Sequence, residues 1–366
     1  MRKADYVANL YSIPDRGVIG AGKPEKTLYE LLWKSLESHL SGVSKVFFAP
    51  TGLMHRLNLA AIPISPDTIL ADRYQLVELG STRQLISQNG ESFDKNDAIL
   101  FGGIQYDMDS SAIMMANEAL LHQDIVSRGI IEDDFGGAFG DGTWKYLKWT
   151  EKEVDAVGNI LSAGGFVQQT RKGFDATEEV FKNIGSTGPS PRVLHVATHG
   201  FFFPDPKDNP EQNGEVDENE VGFKTSNNPL IRSGLLFAGA NQAWKTGKPV
   251  KKGMDNGILT AYEISHMDLS NTELVVLSAC ETGLGDIQGN EGVYGLQRAF
   301  KIAGVKYLIM SLWQVPDFQT KELMTTFYSK WLSENMSIPD AFHAAQQEMR
   351  EKYMNPYFWA GFVLVE

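Results

Sequence analysis

Two apolar runs decide the fold of this chain: RVLHVATHGFF (192–202) and ELVVLSACETG (273–283). Both are near-continuous stretches of strand-forming residues, as expected for a parallel sheet that is covered on both faces. Each run passes into a glycine-bearing turn with a reactive side chain, His199 in the first and Cys280 in the second. Functional groups gather where parallel strands end at their carboxyl edge. If the two strands are parallel neighbours, His199 and Cys280 lie side by side although 81 positions separate them.

Strand and helix patterns alternate over most of the remaining chain. Strands are predicted at 44–49, 98–106, 165–169, 306–315 and 359–365, and helices at 292–303, 318–332 and 339–353. Further helix starts are predicted from capping patterns at Thr27 with Glu30, Thr150 with Glu153, and Asp175 with Glu178. Alternation of this kind predicts an α/β fold with a mostly parallel sheet flanked by helices on both faces.

The chain divides into unequal parts. Residues 1–26, rich in proline and glycine, are predicted to be a lead-in or linker, 27–95 an N-terminal accessory α/β region, and 96–366 the main domain. Within the main domain, 204–228 holds seven acids against two lysines and is predicted to be an acidic, mobile surface loop. A gate or cleavage site near the active centre is the alternative interpretation of this loop.

Composition excludes several classes of protein. The net charge of −13 over 366 residues argues against a nucleic-acid-binding surface. No apolar run is long enough to span a bilayer, so we expect no membrane contact. The single cysteine excludes an internal disulfide and a multi-cysteine metal site, and it fits a reducing cytoplasm. The sequence has no calcium-loop pattern either, and we expect neither a metal nor a cofactor.

A cysteine beside a histidine is the pairing that nucleophilic catalysis requires. A free thiol has a pKa near about 8.5 and is mostly protonated at neutral pH. An adjacent imidazole takes the thiol proton and later returns it to the leaving amine. Backbone N–H groups must then stabilise the oxyanion, and those of Cys280 and Gly200 are the natural candidates.

Other interpretations of these residues stay open or fail on geometry. A lone cysteine at a strand end is often a small buried hydrophobe, and a lone histidine in an apolar strand is often a core residue. His195 and His199 have a metal-like spacing, but on a strand they lie about 13 Å apart and cannot share one zinc ion. A phosphate loop after Cys280 is disfavoured, because Asp286 stands where such a loop needs an arginine.

Longer motifs resemble a known family. They are RVLHVATHGFF, NPLIRSGLLFAGAN (228–241), DNGILTAYEISHMDLSNTELVVLSACETGLGD (255–286), NEGVYGLQRAFKIAGVKYLIMSLWQVPD (290–317) and NPYFWAGFVLVE (355–366). Together with LYELLWKSLESHL (28–40) and VFFAPTGLMHRLNLAAI (46–62), they resemble the CHAT family of caspase-like peptidases, which are similar to separases and often fused to tetratricopeptide repeats. The likeness spans about residues 27–366.

The resemblance implies a caspase/hemoglobinase fold with 96–366 as its catalytic domain. It implies a catalytic dyad of Cys280 and His199, with Gly200 as an oxyanion donor. It further implies a protein substrate, a partner or ligand that activates the enzyme, such as a sensor of the tetratricopeptide-repeat type, and a role in bacterial defence or signalling. The present chain departs from the common pattern because no repeat region precedes the domain, so it is a stand-alone member or a fragment.

Substrate specificity is implied by a second likeness. The segment Leu312–Asp317 resembles the part of separases that lines the pocket for the residue before the scissile bond. Asp317, with Trp313 and Gln314, is accordingly expected to form a pocket that favours Arg or Lys. The alternative is that Asp317 simply caps a helix starting at Phe318.

Two classes of function remain open from the sequence. The first is a regulated cysteine endopeptidase, and the second is a catalytically idle caspase-like module that binds other proteins. The intact Cys280 and His199 favour the first, since an idle module has no chemical need for either residue. The same pair could also act on a non-peptide amide.

Overall fold

The computed structural model describes residues 27–65, 67–86, 93, 95–107, 111, 115, 143–203, 226–249, 254–279, 285–287 and 293–366. The predicted lead-in at 1–26 lies outside the described residues, as do residues 204–225 of the predicted acidic loop. Cys280 lies outside them as well.

Strands in the described part of the chain are short and mostly apolar. They are β1 (Lys45–Phe48), β2 (Gln75–Glu78), β3 (Asp97–Ile104), β4 (Val167–Gly173), β5 (Val193–Val196), β6 (Gly200–Phe202), β7 (Ser233–Leu236), β8 (Ile258–Thr260), β9 (Leu274–Leu277), β10 (Gly285–Ile287), β11 (Val293–Gly295), β12 (Tyr307–Ser311) and β13 (Phe362–Val365). The α-helices are α1 (Leu28–Leu32), α2 (Lys148–Ala163), α3 (Glu178–Lys182), α4 (Ala240–Thr246), α5 (Ala261–Ile264), α6 (Leu296–Ile302), α7 (Asp317–Ser333) and α8 (Ile338–Lys352).

The main sheet confirms the predicted α/β architecture. Among the described residues it has eight strands in the order β1-β2-β13-β12-β9-β5-β3-β4. Neighbouring strands are parallel except β12 and β13, which are antiparallel. Helices flank this sheet, as expected for strands that are buried on both faces. A smaller antiparallel sheet has the strand order β6-β7-β8, and its first strand follows the carboxyl end of β5 in the sequence.

The apolar run at 192–202 does not form one strand, contrary to the prediction. Its first part is β5 of the main sheet, and its last part is β6 of the smaller sheet. Between them the backbone changes partners, and the carbonyl of His199 accepts from the N–H of Leu236 in β7 (3.0 Å). His199 therefore lies at the junction of the two sheets. An unbroken apolar pattern carries no signal for such a change of sheet.

The helix at 148–163 begins earlier than its predicted capping box. Leu147 is the N-cap, and Thr150 lies in the first turn. The hydroxyl of Thr150 donates to the Leu147 carbonyl (2.7 Å) and accepts from the N–H of Gly103 (3.0 Å), so it is not available as a cap. Glu153 turns into the core instead. The predicted cap at Asp175 is also wrong, because Thr177 caps α3 by accepting from the N–H of Val180 (3.2 Å).

Helix α2 packs closely on strand β3, and this packing positions Thr150 and Glu153, the two residues of the predicted capping box. A Cβ at Gly102 would lie 2.7 Å from a Val154 methyl group, so the glycine allows the helix to approach the strand directly.

The capping box at Thr27 and Glu30 is confirmed, and it opens the short helix α1. The predicted helix at 292–303 starts only at Leu296, because β11 precedes it.

The N-terminal region contributes to the same sheet. β2 pairs in parallel with β13, and β1 follows at the edge. A small cluster of its own lies beneath these strands, formed by Trp33, Leu59, Ile62, Leu70 and Tyr74. The boundary at residue 95/96 stays a prediction.

Candidate active site

The register of two central strands aligns the segments that lead to His199 and Cys280. β5 and β9 are parallel neighbours, which confirms that part of the prediction, and Val196 pairs with Leu277. This register offset of 81 positions equals the sequence separation of His199 and Cys280. Beyond the strands the alignment continues, since the N–H of Ser278 donates to the carbonyl of Val196 (2.9 Å).

The approach to Cys280 is anchored from a third strand. Ser311, at the end of β12, donates its hydroxyl hydrogen to the carbonyl of Ala279 (2.7 Å). Ala279 is 5% exposed, and it directly precedes the cysteine. Backbone hydrogen bonds on one side and this side-chain bond on the other therefore hold the chain up to residue 279.

One ring nitrogen of His199 is fixed by a backbone carbonyl. Nε2 lies 2.8 Å from the carbonyl oxygen of Lys145. Because a carbonyl only accepts, Nε2 carries the proton and Nδ1 of the neutral ring is left with the lone pair. No described residue hydrogen-bonds to Nδ1. The imidazole thus presents a free base on its Nδ1 side.

Aromatic rings enclose the same imidazole. The ring centroid of His199 lies 5.0 Å from that of Tyr106 and 4.9 Å from that of Trp144. Burial by these neighbours lowers the pKa of His199 below its ordinary value, and the bond to the Lys145 carbonyl opposes this effect more weakly. The neutral, basic form of the ring is consequently favoured at neutral pH.

The backbone before His199 is tied to the smaller sheet. The buried hydroxyl of Thr198 donates to the carbonyl of Leu236 (2.5 Å). It accepts in turn from the hydroxyl of Tyr106 (2.9 Å), whose ring touches His199. These bonds limit movement of the imidazole relative to the sheet edge.

A cavity opens at this edge of the sheet, beside the segment that precedes Cys280. Its lining includes Glu153, Thr198, Ser278, Ala279, Ser311 and Asp317. The lining contains two carboxylates and no lysine or arginine among the described residues. No described residue forms a hydrogen bond with the buried hydroxyl of Ser278. An anionic cavity with an unpaired hydroxyl is suited to a cationic group that donates hydrogen bonds.

Asp317 is the first residue of α7, and Pro316 is the N-cap. The alternative in which Asp317 caps a helix starting at Phe318 is therefore wrong. Burial raises the pKa of Asp317, the negative charge of Glu153 raises it further, and only its own backbone N–H opposes the rise. A carboxylate in such surroundings gains stability when a cation arrives.

Glu153 differs from Asp317 because it has a partner in the core. Its carboxylate lies 2.9 Å from Nε2 of His195, and both side chains are almost fully buried. Nδ1 of His195 lies 3.3 Å from the hydroxyl of Tyr328 in α7. His195 is thus a satisfied core histidine, and sequence spacing alone could not distinguish it from His199.

The other predicted site residues lie at different depths. Gly200 is the first residue of β6 and pairs with Leu235. Trp313 is buried, and its indole N–H donates to the carbonyl of Tyr357 (3.1 Å). Gln314 is exposed, and neither Trp313 nor Gln314 lines the cavity.

The described residues contain neither a metal-binding cluster nor a membrane-spanning helix. Their histidine, cysteine and acidic side chains form no group of three or more that could hold a metal ion. None of the helices in this part of the chain has the length and apolar character needed to cross a membrane.

Comparison with known proteins identifies one family. The profile of the CHAT domain matches residues 22–366. Tetratricopeptide repeat protein 28 of Mus musculus is 32% identical over 111 residues, which are 30% of this chain, and the Homo sapiens protein is 31% identical over the same length. The chain spans about 4% of the length of these curated relatives.

Similar solved structures include a cysteine proteinase and a separase–securin complex. The Arg-specific cysteine proteinase gingipain R has a TM-score of 0.49 and 9% identity, with 91% of this chain and 65% of that chain covered. The Saccharomyces cerevisiae separase–securin complex has a TM-score of 0.42 and 10% identity, with 87% of this chain and 15% of that chain covered.

Proposed function

We propose that this chain, which belongs to the CHAT family, is a cysteine endopeptidase with Cys280 as nucleophile and His199 as general base. The observation that carries the proposal is the bond from His199 Nε2 to the Lys145 carbonyl (2.8 Å). It leaves Nδ1 basic at the edge of the sheet where β5 and β9 end side by side. Among the described contacts Nδ1 has no partner, which is the arrangement that a general base requires.

The first chemical step is attack by the thiol on the substrate carbonyl. As the bond from Sγ to the carbonyl carbon forms, the thiol proton passes to Nδ1 of His199. The ring is then a cation, and the Lys145 carbonyl continues to accept from its Nε2. Backbone N–H groups of Gly200 and Cys280 are proposed to stabilise the oxyanion of the tetrahedral intermediate.

Collapse of the intermediate releases the amine and leaves a thioester on Cys280. The bond from carbon to nitrogen breaks, and the proton on Nδ1 moves to the leaving amine. Neutral His199 then removes a proton from water, whose oxygen attacks the thioester. The bond from carbon to sulfur then breaks, the proton on Nδ1 returns to Sγ, and the thiol and the neutral imidazole are restored as the carboxylic acid leaves.

Arg or Lys is proposed as the residue before the scissile bond. The cavity beside Ala279 contains the carboxylates of Glu153 and Asp317 and the unpaired hydroxyl of Ser278. A guanidinium presents donors for such a set and lowers the electrostatic cost of the half-buried Asp317 carboxylate. Asp317 is the main determinant in this proposal, because Glu153 is already bonded to His195.

Control by a partner or ligand is part of the proposal. The curated relatives are named tetratricopeptide repeat proteins, and the present chain matches only a small share of their length. A sensor of that type, encoded in the same or another chain, is the proposed activator.

The test uses the single thiol of the protein. Labelling of Cys280 by iodoacetamide is measured against pH for the wild type, His199→Ala and His266→Ala, an exposed histidine that bonds to Tyr262. We expect fast labelling near and below neutral pH in the wild type and in His266→Ala, and slow labelling in His199→Ala. An ordinary thiol profile in all three proteins shows that the isolated chain has no activated dyad, and it supports either a catalytically idle interaction module or a peptidase that requires its activator.

Peptide hydrolysis completes the test. A peptide library is incubated with the wild type and with Cys280→Ala, and the fragments are identified by mass spectrometry. We expect cleavage after basic residues with the wild type and no cleavage with the variant. Equal cleavage by both proteins would exclude Cys280 as the nucleophile.

A further inference from the structure

We infer that Asn241 is a positioning residue for His199, acting through the backbone of Trp144 and Lys145. The inference rests on the proposed function, because it assigns a role in preparing the general base. Its test has a spectroscopic readout that does not depend on catalysis.

The side-chain amide of Asn241 bonds to both backbone groups of one residue. Its Oδ1 accepts from the N–H of Trp144 (2.8 Å), and its Nδ2 donates to the carbonyl of Trp144 (3.0 Å). Nδ2 also donates to a carboxylate oxygen of Asp107 (2.9 Å). Asn241 is 2% exposed, so both amide hydrogens and the amide oxygen are used in a site closed to water.

These contacts determine where the Lys145 carbonyl lies. Lys145 directly follows the residue that Asn241 holds, and its carbonyl is the acceptor for His199 Nε2. The ring of Trp144 contacts the imidazole of His199 at a centroid distance of 4.9 Å. One side chain therefore orients both the hydrogen-bond acceptor and an aromatic wall of the imidazole.

Asn241 is itself held on a fixed support. It lies in α4, and its backbone N–H donates to the carbonyl of Tyr106, two residues beyond the end of β3 (3.0 Å). Trp244 of the same helix packs its ring edge against Trp144 (4.9 Å, 79°). Helix α4 thus contacts the backbone of Trp144 through Asn241 and the ring of Trp144 through Trp244.

The chemistry requires an amide at this position. An aspartate could accept from Trp144 but could not donate to its carbonyl, and it would place a second negative charge beside Asp107. An alanine would leave the backbone groups of Trp144 without partners. In either variant the Lys145 carbonyl is no longer fixed, and the imidazole can exchange between its two neutral tautomers.

The experiment records the tautomer of His199 directly. Histidine is labelled with 15N in the full chain, long-range 1H–15N correlations are measured, and His199→Ala identifies the His199 signals. In the wild type we expect the tautomer protonated on Nε2. In Asn241→Ala and Asn241→Asp we expect a mixture of tautomers, together with a roughly 10- to 100-fold slower labelling of Cys280.

The matched control is Asn58→Ala. Asn58 is also a buried asparagine that donates to a backbone carbonyl, that of Ala360 (2.9 Å), and it has no contact with His199. We expect this variant to keep the wild-type tautomer and labelling rate even if its unfolding midpoint falls.

The outcomes separate the two hypotheses. An unchanged tautomer and labelling rate in both Asn241 variants overturns the role of Asn241 and leaves the dyad intact. A wild-type protein whose Cys280 labels no faster than in His199→Ala overturns the activated dyad on which the inference rests, whatever the tautomer. If Asn241→Ala does not fold, Asn241→Asp decides, and a wild-type ring protonated on Nδ1 overturns the inference without any variant.

Discussion

His195 and His199 lie four positions apart in one segment, yet their surroundings differ in every respect that matters for chemistry. His195 is in β5 with no exposed surface, and both of its ring nitrogens contact polar partners, Glu153 and Tyr328. His199 lies beyond the end of the strand, and only Nε2 is bonded among the described contacts. The difference shows that an unpaired nitrogen at a sheet edge, and not the residue type, distinguishes a candidate base from a core residue.

The two cavity carboxylates repeat this contrast. Glu153 is paired with His195 and belongs to the core, whereas Asp317 lies in the same cavity with no lysine or arginine among the described lining residues. Burial and the charge of Glu153 together raise the pKa of Asp317. In both pairs of residues, the partnered member serves stability and the unpartnered member is the candidate for function.

The largest effect is expected from the unpartnered histidine. His199→Gln removes the basic nitrogen, and kcat/KM for a cleaved peptide should fall by about 10²- to 10⁴-fold. The free energy of unfolding, measured in urea, should change little because the side chain is only half-buried. A variant that retains wild-type activity would end the distinction between the two histidines.

The partnered acid should affect stability. Glu153→Ala leaves the buried His195 without its partner, and we expect a loss of about 3 kcal/mol in the free energy of unfolding. Glu153→Gln retains an acceptor for His195 and serves as the matched control, with a smaller loss. Equal urea midpoints for Glu153→Ala and the wild type would show that the pair contributes nothing.

Much of this architecture could be predicted from sequence because it depends on patterns of residue type. The strands that became β5, β9 and β12 are apolar runs, and their parallel order follows from the helices between them. The capping box at Thr27 was predictable for the same reason, since its two residues lie three positions apart in the sequence and bond to each other without a distant partner. At Thr150 the same pattern failed, because the tertiary contact with Gly103 uses the hydroxyl.

The contacts that prepare His199 could not be predicted in this way. The acceptor for its Nε2 is a backbone carbonyl 54 positions upstream, and a carbonyl has no signature in the sequence. Asn241 lies in a motif that resembles the family, but its role depends on the approach of Trp144, which is distant along the chain. The contact between Glu153 and His195 could not be predicted either, because Glu153 fits the sequence pattern of a helix capping box.

Substrate preference should depend on the unpartnered acid. Asp317→Asn removes the negative charge but keeps the shape of the side chain. We expect cleavage after Arg or Lys to fall by about 100-fold relative to cleavage after neutral residues, because a cation then lacks its carboxylate. The ratio of kcat/KM for matched peptides measures this change. A preference for basic residues that survives the substitution rules out Asp317 as the determinant.

The pH profile should show the low basicity of His199. Because burial lowers its pKa below the ordinary value of 6.5, the ring stays neutral as pH falls through that value. The acid limb of kcat/KM should accordingly lie below pH 6.5. Trp144→Ala exposes the ring and should move the limb upward. A wild-type limb above the ordinary value would contradict the geometry.

The smallest effect is expected from Tyr328→Phe. The substitution removes the hydroxyl near Nδ1 of His195 (3.3 Å) but keeps the ring in the core. We expect a loss of about 1 kcal/mol in the free energy of unfolding, the usual contribution of one hydrogen bond, and no change in the labelling of Cys280. Nδ1 of His195 would then lack its hydrogen-bond partner, like Nδ1 of His199. The variant therefore separates the two features of the candidate base, which are an unpaired ring nitrogen and a position at the edge of the sheet. Unchanged labelling means that an unpaired nitrogen acts only at the sheet edge, and altered labelling would show that the core histidine influences the site.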